Sequence, residues 1–394
     1  MEDIRFSVVT SRGTMRAPAM NSVEAKSRTG ARKQMFRSQL LTWYDAHARA
    51  LPWRENRDPY RVWLSEIMLQ QTRVAAVIAH YEEFLRRFPT VEKLARARVA
   101  SVLAAWSGLG YYRRARMLHA AAKVVARQRG GKFPVTAREL RDLPGIGRYT
   151  AAAIASIAFD EPVAVVDGNV ERVLQRCLGQ RLAGEGLWQS ADGLLDRDRP
   201  GDFNQAMMEL GATVCSPRGP ACLACPVVKM CATRGETAGT VKAARQRKRE
   251  IHYALDFRQG GGRAGGAVFL VQRPRDARLM AGMWELPELA GPVVGAGEKQ
   301  IPRFARNQRR DKNEETVREN DPRLWFTVRH SITVTDYTVR VWRTRAPSDL
   351  RGEWFALDRL KRVALTGLAR KILRRAGLAG TGANKVAGDV FGRC

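Results

Sequence analysis

Two acidic residues in this sequence lie where a carboxylate could act on a reacting bond, and the first is Glu66. It lies inside an apolar, aromatic-rich stretch that runs from Trp53 to Thr72. A carboxyl group in apolar surroundings has a raised pKa and can hold a proton near neutral pH, as a general acid must. The alternative is a solvated glutamate on the open face of a helix, where most glutamates lie. The residues alone leave both interpretations open.

The second acidic residue is Asp167, which ends an apolar run in the segment V-V-D-G-N-V at 165–170. Most aspartates that precede a helical pattern cap the helix. The other interpretation is catalytic, with the carboxylate offsetting positive charge as a sugar becomes oxocarbenium-like. Position along the chain does not distinguish the two.

A glycine turn lies between two helical patterns, in the segment L-P-G-I-G-R-Y-T-A at 143–151. Gly145 and Gly147 permit a tight hairpin whose backbone N–H groups point outward at the start of the next helix, where the dipole favours an anion. An ordinary connecting turn is the alternative. Because Arg148 follows the turn, we favour a site for a DNA phosphate.

Four of the six cysteines crowd into one loop with the spacing C-x6-C-x2-C-x5-C: Cys215, Cys222, Cys225 and Cys231. In a cytosolic chain such crowding indicates metal binding and not disulfides. Zinc modules usually show two tight pairs separated by a longer arm. The compact loop therefore favours a [4Fe–4S] cluster over zinc, with a structural or redox-sensing role.

The composition indicates a polyanionic partner. Lys plus Arg number 68 against 39 Asp plus Glu, which gives a net charge of +29. Nucleic acid is favoured over an acidic membrane surface, because the basic residues are scattered through apolar helical patterns and form no single basic amphipathic helix. The sequence contains no apolar run of membrane-spanning length and no secretory signal, so we predict a cytoplasmic protein.

The elements that must position these residues fall into two classes. Helical periodicity recurs from Gln39 to about Leu210, most clearly from Val74 to Phe88. Further helices are predicted at 92–106, 112–129, 136–142, 148–159 and 169–178. Beyond the cysteines, short β-branched and aromatic runs predict strands at 267–272, 323–328 and 338–342, followed by an amphipathic helix near 366–376. The fold class is α+β.

Five motifs in one order carry a resemblance to a known family. They are L-S-E-x-M-L-Q-Q-T, G-L-G-Y-Y-x-R-A-R, L-P-G-x-G-R, V-D-G-N-V and the cysteine loop, between Gln39 and Cys231. This region resembles the helix-hairpin-helix DNA glycosylase superfamily with its iron–sulfur loop, and specifically the adenine DNA glycosylase (MutY) branch. The resemblance implies that the partner is double-stranded DNA containing adenine opposite 8-oxoguanine or guanine, bound by a monomer at the bacterial nucleoid.

The resemblance also implies a mechanism. Glu66 would protonate adenine at N7 and later help to position water, and Asp167 would stabilise the oxocarbenium-like sugar. Asn169 would orient Asp167, and Tyr149 would lie against the same reaction centre. The endonuclease III branch has a lysine at the position of Tyr149, and that amine forms a Schiff base. The tyrosine therefore predicts a monofunctional glycosylase that leaves an abasic site.

Other family positions contact the base and the duplex. Those that line the adenine pocket correspond to Arg49, Trp53, Arg54 and Glu209. Gln71 and Tyr111 correspond to residues that enter the duplex and fill the gap left by the flipped base. Without the surrounding motifs, Trp53 and Tyr111 would be interpreted as ordinary core aromatics.

The C-terminal part resembles the Nudix-like domain with which this family reads 8-oxoguanine. The resemblance is carried by A-V-F-L-V-Q-R-P at 267–274 and by L-M-A-G-M-W-E-L-P around Trp284. The acidic helix motif of Nudix hydrolases is missing, so pyrophosphate hydrolysis is not expected. The family's Phe-Ser-His element is replaced by Ile-Thr-Val at 332–334, which retains a hydroxyl at Thr333 and predicts altered 8-oxoguanine recognition.

These predictions divide the chain into six regions. They are a disordered basic leader (1–34), the helix-hairpin-helix glycosylase domain (35–214), the iron–sulfur loop (215–232), a basic linker (233–250), the Nudix-like domain (251–377) and a flexible tail (378–394). Two rival hypotheses are a sibling glycosylase for thymine or uracil opposite guanine and a non-catalytic DNA sensor. No segment of the sequence specifies a protein partner.

Overall fold

A computed structural model describes residues 22–234, 247–259, 266–277, 279–291, 323–332 and 335–378. The α-helices are α1 (Ser22–His47), α2 (Pro59–Leu69), α3 (Val74–Arg87), α4 (Val91–Arg96), α5 (Val99–Trp106), α6 (Arg113–Gln128), α7 (Ala137–Leu140), α8 (Arg148–Phe159), α9 (Gly168–Leu178), α10 (Gly184–Leu194), α11 (Pro200–Thr213) and α12 (Gly367–Arg375). The strands are β1 (Arg247–Ala254), β2 (Phe257–Arg258), β3 (Ala267–Gln272), β4 (Trp284–Glu285), β5 (Glu288–Leu289), β6 (Arg323–Ile332), β7 (Thr335–Arg343) and β8 (Gly352–Ala356).

The described residues form two compact units, each built from two stretches of chain. One unit, called the cysteine unit here, comprises Met1–Ala48 and Pro162–Thr237. The other, called the hairpin unit, comprises Arg49–Glu161 and Ala238–Cys394. The region predicted as a single helical domain is therefore shared between the units, and its middle part belongs to the same unit as the C-terminal strands.

Most predicted helices are present, with two corrections. The predicted helix 92–106 is wrong as one element, because Ala97 and Arg98 adopt extended backbone conformations that separate α4 from α5. The disordered leader is wrong from residue 22 onward, where α1 begins. That helix continues into the packed part of the cysteine unit, where the ring of Phe36 lies 6.4 Å from that of Phe203. Tertiary packing of this kind stabilises helices whose sequence periodicity is weak.

The C-terminal strands form two sheets. One has the order β5-β1-β7-β6, with β1 parallel to β7 and antiparallel to β5. In the other, β3 pairs with β2, β4 and β8. The strand prediction for 267–272 is confirmed by β3, and those for 323–328 and 338–342 are confirmed inside β6 and β7. Helix α12 confirms the predicted C-terminal helix and buries Ile372 and Leu373 in the core beside the sheets.

Strand β1 corrects the linker prediction, because its first four residues, 247–250, lie inside the range predicted as linker. These residues are charged and exposed, so they show no alternation of apolar and polar side chains. Their pairing with β7 supplies the strand hydrogen bonds, and the sequence beside them does not reveal this partner.

Several predictions fall outside the described residues: most of the leader (1–21), most of the linker (235–246), Thr333 and the tail from 379. Within the described part of the chain, no helix is long and apolar enough to cross a membrane.

Candidate active site and DNA-contact elements

Glu66 is buried in the hairpin unit, with 7% of its surface exposed. It lies on α2, which buries nearly every residue from Tyr60 to Met68, so the helix offers little solvated face to a charged side chain. The Tyr149 hydroxyl donates a hydrogen bond to Glu66 Oε2 at 2.7 Å. The interpretation of Glu66 as a solvated glutamate is therefore wrong. Burial disfavours the charged form of a carboxyl group, which suits a proton donor.

Tyr149 reaches Glu66 from α8, the helix that follows the glycine turn. Helix α7, the turn and α8 form the predicted helix-hairpin-helix. Gly145 has φ of 79°, and a Cβ there would lie 2.5 Å from Met117 Cβ, so only glycine fits. The same argument does not hold for Gly147, whose φ is −89° and which has open space around its Cβ position.

Gly147 is the N-cap of α8 and provides no side-chain cap for the first-turn N–H groups. These groups and the helix dipole favour an anion at this end of the helix. Arg148 follows at the first helical position. The local geometry is therefore suited to a phosphate group.

Two exposed loops carry the residues predicted to enter a duplex. The α2–α3 loop (70–73) presents Gln71, and the α5–α6 loop (107–112) presents Tyr111, which is 46% exposed. Both residues have left-handed backbone conformations, with φ of 56° and 46°. Such conformations are unfavourable for non-glycine residues and persist where surrounding contacts enforce them. Tyr111 is thus not a core aromatic.

Residues predicted to line an adenine pocket are divided between the two units. In the hairpin unit, Arg54 Nη1 donates to the carbonyl oxygen of Arg49 at 3.2 Å. Trp53 is buried, with its ring edge-on to Tyr81 at 5.4 Å, as a core aromatic would be. Glu209 belongs to α11 of the cysteine unit and is 1% exposed.

Asp167 is half-buried at the N-terminus of α9 in the cysteine unit. Its Oδ1 accepts hydrogen bonds from the backbone N–H groups of Asn169 and Val170 at 2.9 and 2.7 Å. Its Oδ2 accepts one from Asn169 Nδ2 at 2.9 Å. Asp167 is therefore an N-cap, as one of the two interpretations required. Both carboxyl oxygens therefore act as hydrogen-bond acceptors, and the side chain is fixed in one orientation.

Arg172 is a site residue that the sequence predictions missed. Its Nη2 donates to Asn169 Oδ1 at 2.9 Å and to the carbonyl oxygen of Gly211 at 2.7 Å, and its Nε donates to the carbonyl oxygen of Cys215 at 2.8 Å. Burial lowers the pKa of Arg172. The available signal was its position three residues after Asn169 on a helix, which places the two side chains on one face.

The cysteine loop is held in the cysteine unit by Arg176, which is 8% exposed. Arg176 Nη1 lies 3.2 Å from Cys215 Sγ and donates to the carbonyl oxygen of Ser216 at 2.8 Å. The four predicted ligands, Cys215, Cys222, Cys225 and Cys231, line one common pocket. Within the described residues, no group of three or more Cys, His, Asp or Glu side chains is arranged to hold a metal ion.

The surroundings of the thiols differ along the loop. The neighbouring Cys177 thiol, by hydrogen bonding, lowers the pKa of Cys231 to about 5, whereas burial raises the pKa of Cys225 to about 11. The Cys215 thiol differs from both in having the Arg176 guanidinium beside its sulfur. The four cysteines therefore share one pocket, with an arginine beside one of them.

The structure brings the predicted residues together in two groups. Glu66 and Tyr149 meet in the hairpin unit, which also contains the glycine turn and both exposed loops. Asp167 and Asn169 meet in the cysteine unit, which also contains the four cysteines and Glu209.

The class of protein follows from the helix-hairpin-helix and from a match between residues 64–182 and the sequence model of the family described as HhH-GPD superfamily base excision DNA repair protein. A solved structure of a thermostable thymine-DNA glycosylase is similar, with a TM-score of 0.50 and 32% identity, over 52% of this chain and 98% of that chain. The helical fold is thus that of a base-excision repair glycosylase, with a C-terminal region of strands and helix added.

The curated relatives define the family more closely. The adenine DNA glycosylase of Schizosaccharomyces pombe is 32% identical over 333 residues, which cover 68% of this chain and 72% of that protein. The human adenine DNA glycosylase is 41% identical, over 64% of this chain and 57% of the human protein. The mouse enzyme is 42% identical, and this chain spans 60% of its length. The chain belongs to the adenine DNA glycosylase family.

Proposed function

We propose that this protein is a monofunctional DNA glycosylase that removes adenine mispaired with 8-oxoguanine or guanine from double-stranded DNA. The observation that carries the proposal is Glu66, a buried carboxyl group hydrogen-bonded by Tyr149 on the helix that follows the hairpin. Membership of the adenine DNA glycosylase family and the net charge of +29 also support it. The adenine would be flipped out of the duplex before the reaction.

In this reaction the bond between C1′ of the sugar and N9 of adenine breaks, and its electron pair leaves with the base. Glu66 donates a proton to N7, which makes adenine a better leaving group. Tyr149 holds the Glu66 side chain by its hydrogen bond to Oε2. Water then adds to C1′ and loses its proton to the Glu66 carboxylate.

Asp167 stabilises the positive charge that develops on the sugar as the glycosidic bond breaks. Its three hydrogen bonds fix the carboxylate, so it needs little reorganisation during the reaction. Asn169 supplies two of them and is held in turn by Arg172. Arg49, Trp53, Arg54 and Glu209 are proposed to bind the flipped adenine.

DNA is held by the backbone at Gly145 and Gly147 together with Arg148, while Gln71 and Tyr111 fill the gap left by the flipped base. Tyr149 lacks the amine needed for a Schiff base, so the product is an abasic site in an uncut strand. We propose that 8-oxoguanine is read by the C-terminal region as a Nudix-like domain, with Thr333 as its hydroxyl contact.

Membership of this family suggests a metal or iron–sulfur cofactor, and we propose a [4Fe–4S] cluster. Cys215, Cys222, Cys225 and Cys231 would hold it, and bound there it would supply structural stabilisation or redox sensing. We further propose that the protein acts as a monomer in the cytoplasm.

The test is base release under single-turnover conditions from duplexes that differ in one pair. We expect release from A·8-oxoguanine and A·G duplexes, no release from A·T, and strand cleavage only after alkali. Absence of adenine release from both mispairs would defeat the proposal.

A second candidate is a glycosylase for thymine opposite guanine. It is favoured by the similarity to the thermostable thymine-DNA glycosylase structure, almost all of which is matched. Duplexes with G·T and G·U pairs belong in the same panel. Release of thymine or uracil without release of adenine would establish this second function.

A further inference from the structure

One guanidinium group contacts both exposed loops of the hairpin unit. Arg114 lies on α6, and its Nη1 lies within hydrogen-bonding distance of three carbonyl oxygens around the end of α2. These are Ile67 O at 2.7 Å, Met68 O at 3.0 Å and Gln70 O at 2.6 Å. The last carbonyl groups of a helix lack hydrogen-bond partners within the helix. Arg114 therefore supplies hydrogen bonds to carbonyl oxygens at the end of α2 and at the start of the α2–α3 loop.

The other terminal nitrogen of Arg114 reaches across to the second loop. Its Nη2 lies near one hydroxyl of the α2–α3 loop and two carbonyl oxygens of the α5–α6 loop: Thr72 Oγ1 at 3.0 Å, Leu109 O at 3.3 Å and Gly110 O at 3.4 Å. The guanidinium carbon also lies 5.4 Å from the centroid of the Tyr111 ring. One planar cation therefore joins the two loops.

The side chain of Arg114 is partly buried. Burial lowers its pKa to about 10, and its Nε is buried without a hydrogen-bond partner among the described residues. A buried cation is stable only where fixed dipoles compensate for lost water, and the loop carbonyls provide them here. The two terminal nitrogens of the side chain are thus both engaged in contacts with the loops.

The two residues that the loops expose have unfavourable backbone conformations. Gln71 and Tyr111 both adopt left-handed φ values and are exposed. Such conformations persist where surrounding contacts hold them. Arg114 hydrogen-bonds to the residues on either side of Gln71 and to the residue before Tyr111.

We propose that Arg114 is a positioning residue for base flipping, which joins the two loops so that Gln71 and Tyr111 enter the duplex together. This inference rests on the proposed function, because insertion of the two side chains is part of it. A lysine cannot replace the arginine, because its single ammonium group lacks the two separate terminal nitrogens with which the planar guanidinium contacts both loops.

The experiment measures base unstacking and adenine release separately. A duplex carries 2-aminopurine beside the adenine of an A·8-oxoguanine pair, and its fluorescence rises when the neighbouring base unstacks. Arg114→Lys should lower the unstacking equilibrium about tenfold, the effect of losing a charge-assisted hydrogen-bond set. Its affinity for an unmodified duplex should stay within about twofold, since the positive charge is retained.

Arg113→Lys is the matched control, because Arg113 is the exposed preceding residue on the same helix. It should leave unstacking unchanged. Full unstacking by folded Arg114→Lys, or equal losses in both variants, would overturn the inference.

Thr72→Val provides a milder test if Arg114→Lys does not fold. It removes one of the guanidinium contacts together with the 3.3 Å hydrogen bond from Thr72 Oγ1 to the carbonyl oxygen of Gln70. It should lower unstacking about twofold to threefold with little change in the melting temperature. Unchanged unstacking in Thr72→Val would then overturn the inference, as would a wild-type protein that does not unstack the base. A wild-type protein that unstacks the base but releases no adenine would instead defeat the proposed function and leave this inference standing.

Discussion

Glu66 and Asp167 are both carboxylates, yet their surroundings differ in almost every respect. Glu66 lies in the middle of a helix, is 7% exposed and accepts a hydrogen bond from a phenol. Asp167 lies at the start of a helix, is half-buried, and accepts three hydrogen bonds from N–H groups. Burial disfavours the charged form of the first carboxyl group, and three N–H donors fix the orientation of the second.

The difference shows how the same functional group, a carboxyl group, can serve as a proton donor in one environment and as an electrostatic stabiliser in another. A pair of titratable groups in contrasting environments is the usual arrangement for an acid and an electrostatic stabiliser. Here the contrast comes from local structure: an apolar helix interior on one side, and the free N–H groups of a helix terminus on the other. The following variants test whether the two carboxylates differ in function as they do in environment.

Replacement of Glu66 should have the largest effect. Glu66→Gln retains the shape but removes the acidic proton, so single-turnover adenine release should fall about 10³-fold. Binding to the mispaired duplex should be retained. The exposed Glu55→Gln is the control, and adenine release by Glu66→Gln near the wild-type rate would contradict the assigned role.

Replacement of Asp167 should separate charge from capping. Asp167→Asn keeps a good N-cap but removes the charge, so we expect release to fall about 10²-fold with the melting temperature almost unchanged. Asp167→Ala should in addition lose about 1 kcal/mol of unfolding free energy, measured by urea denaturation. If Asp167→Asn reacts normally and only Asp167→Ala is impaired, Asp167 is a cap and nothing more.

Removal of the Tyr149 hydroxyl tests the contact specific to Glu66. Tyr149→Phe deletes the 2.7 Å hydrogen bond to Oε2 and should slow adenine release about tenfold. The rate is measured at saturating protein, so that binding does not contribute. Combined with Glu66→Gln, it should produce no further loss; an additive loss would show that the two residues act independently.

Arg172→Lys should have the smallest effect, because it acts on Asp167 only through Asn169. It removes part of the hydrogen-bond set to Asn169, Gly211 and Cys215, so we expect about a threefold slower release and about 1 kcal/mol lower unfolding free energy. Iron content per chain should stay constant. A rate loss as large as that of Asp167→Asn would contradict this ranking.

Several predictions from the sequence succeed because local chemistry decides them. Gly145 has the left-handed φ that its turn requires, and Asp167 caps the helix that its motif precedes. A short apolar run forms β3. Each of these is set by residues within a few positions along the chain. The order of motifs likewise identified the family.

Other features depend on partners distant in the sequence. Strand β1 begins with charged residues and forms because β7 pairs with it 88 residues later, from Arg247 to Thr335. The break between α4 and α5 contains no glycine or proline from which the end of a helix could have been predicted. Arg172 and Arg114 hydrogen-bond to backbone carbonyl groups, and their sequence positions do not reveal these partners.

The sequence by itself determined the family, the chemical types of the site residues and the turns that position them, because these depend on residue identity and short spacing. Only the tertiary structure decided that Glu66 is buried against the Tyr149 hydroxyl, and that Tyr111 is exposed while Trp53 is not. Burial and hydrogen bonding are properties of the packed chain, since they depend on atoms brought together from separate elements.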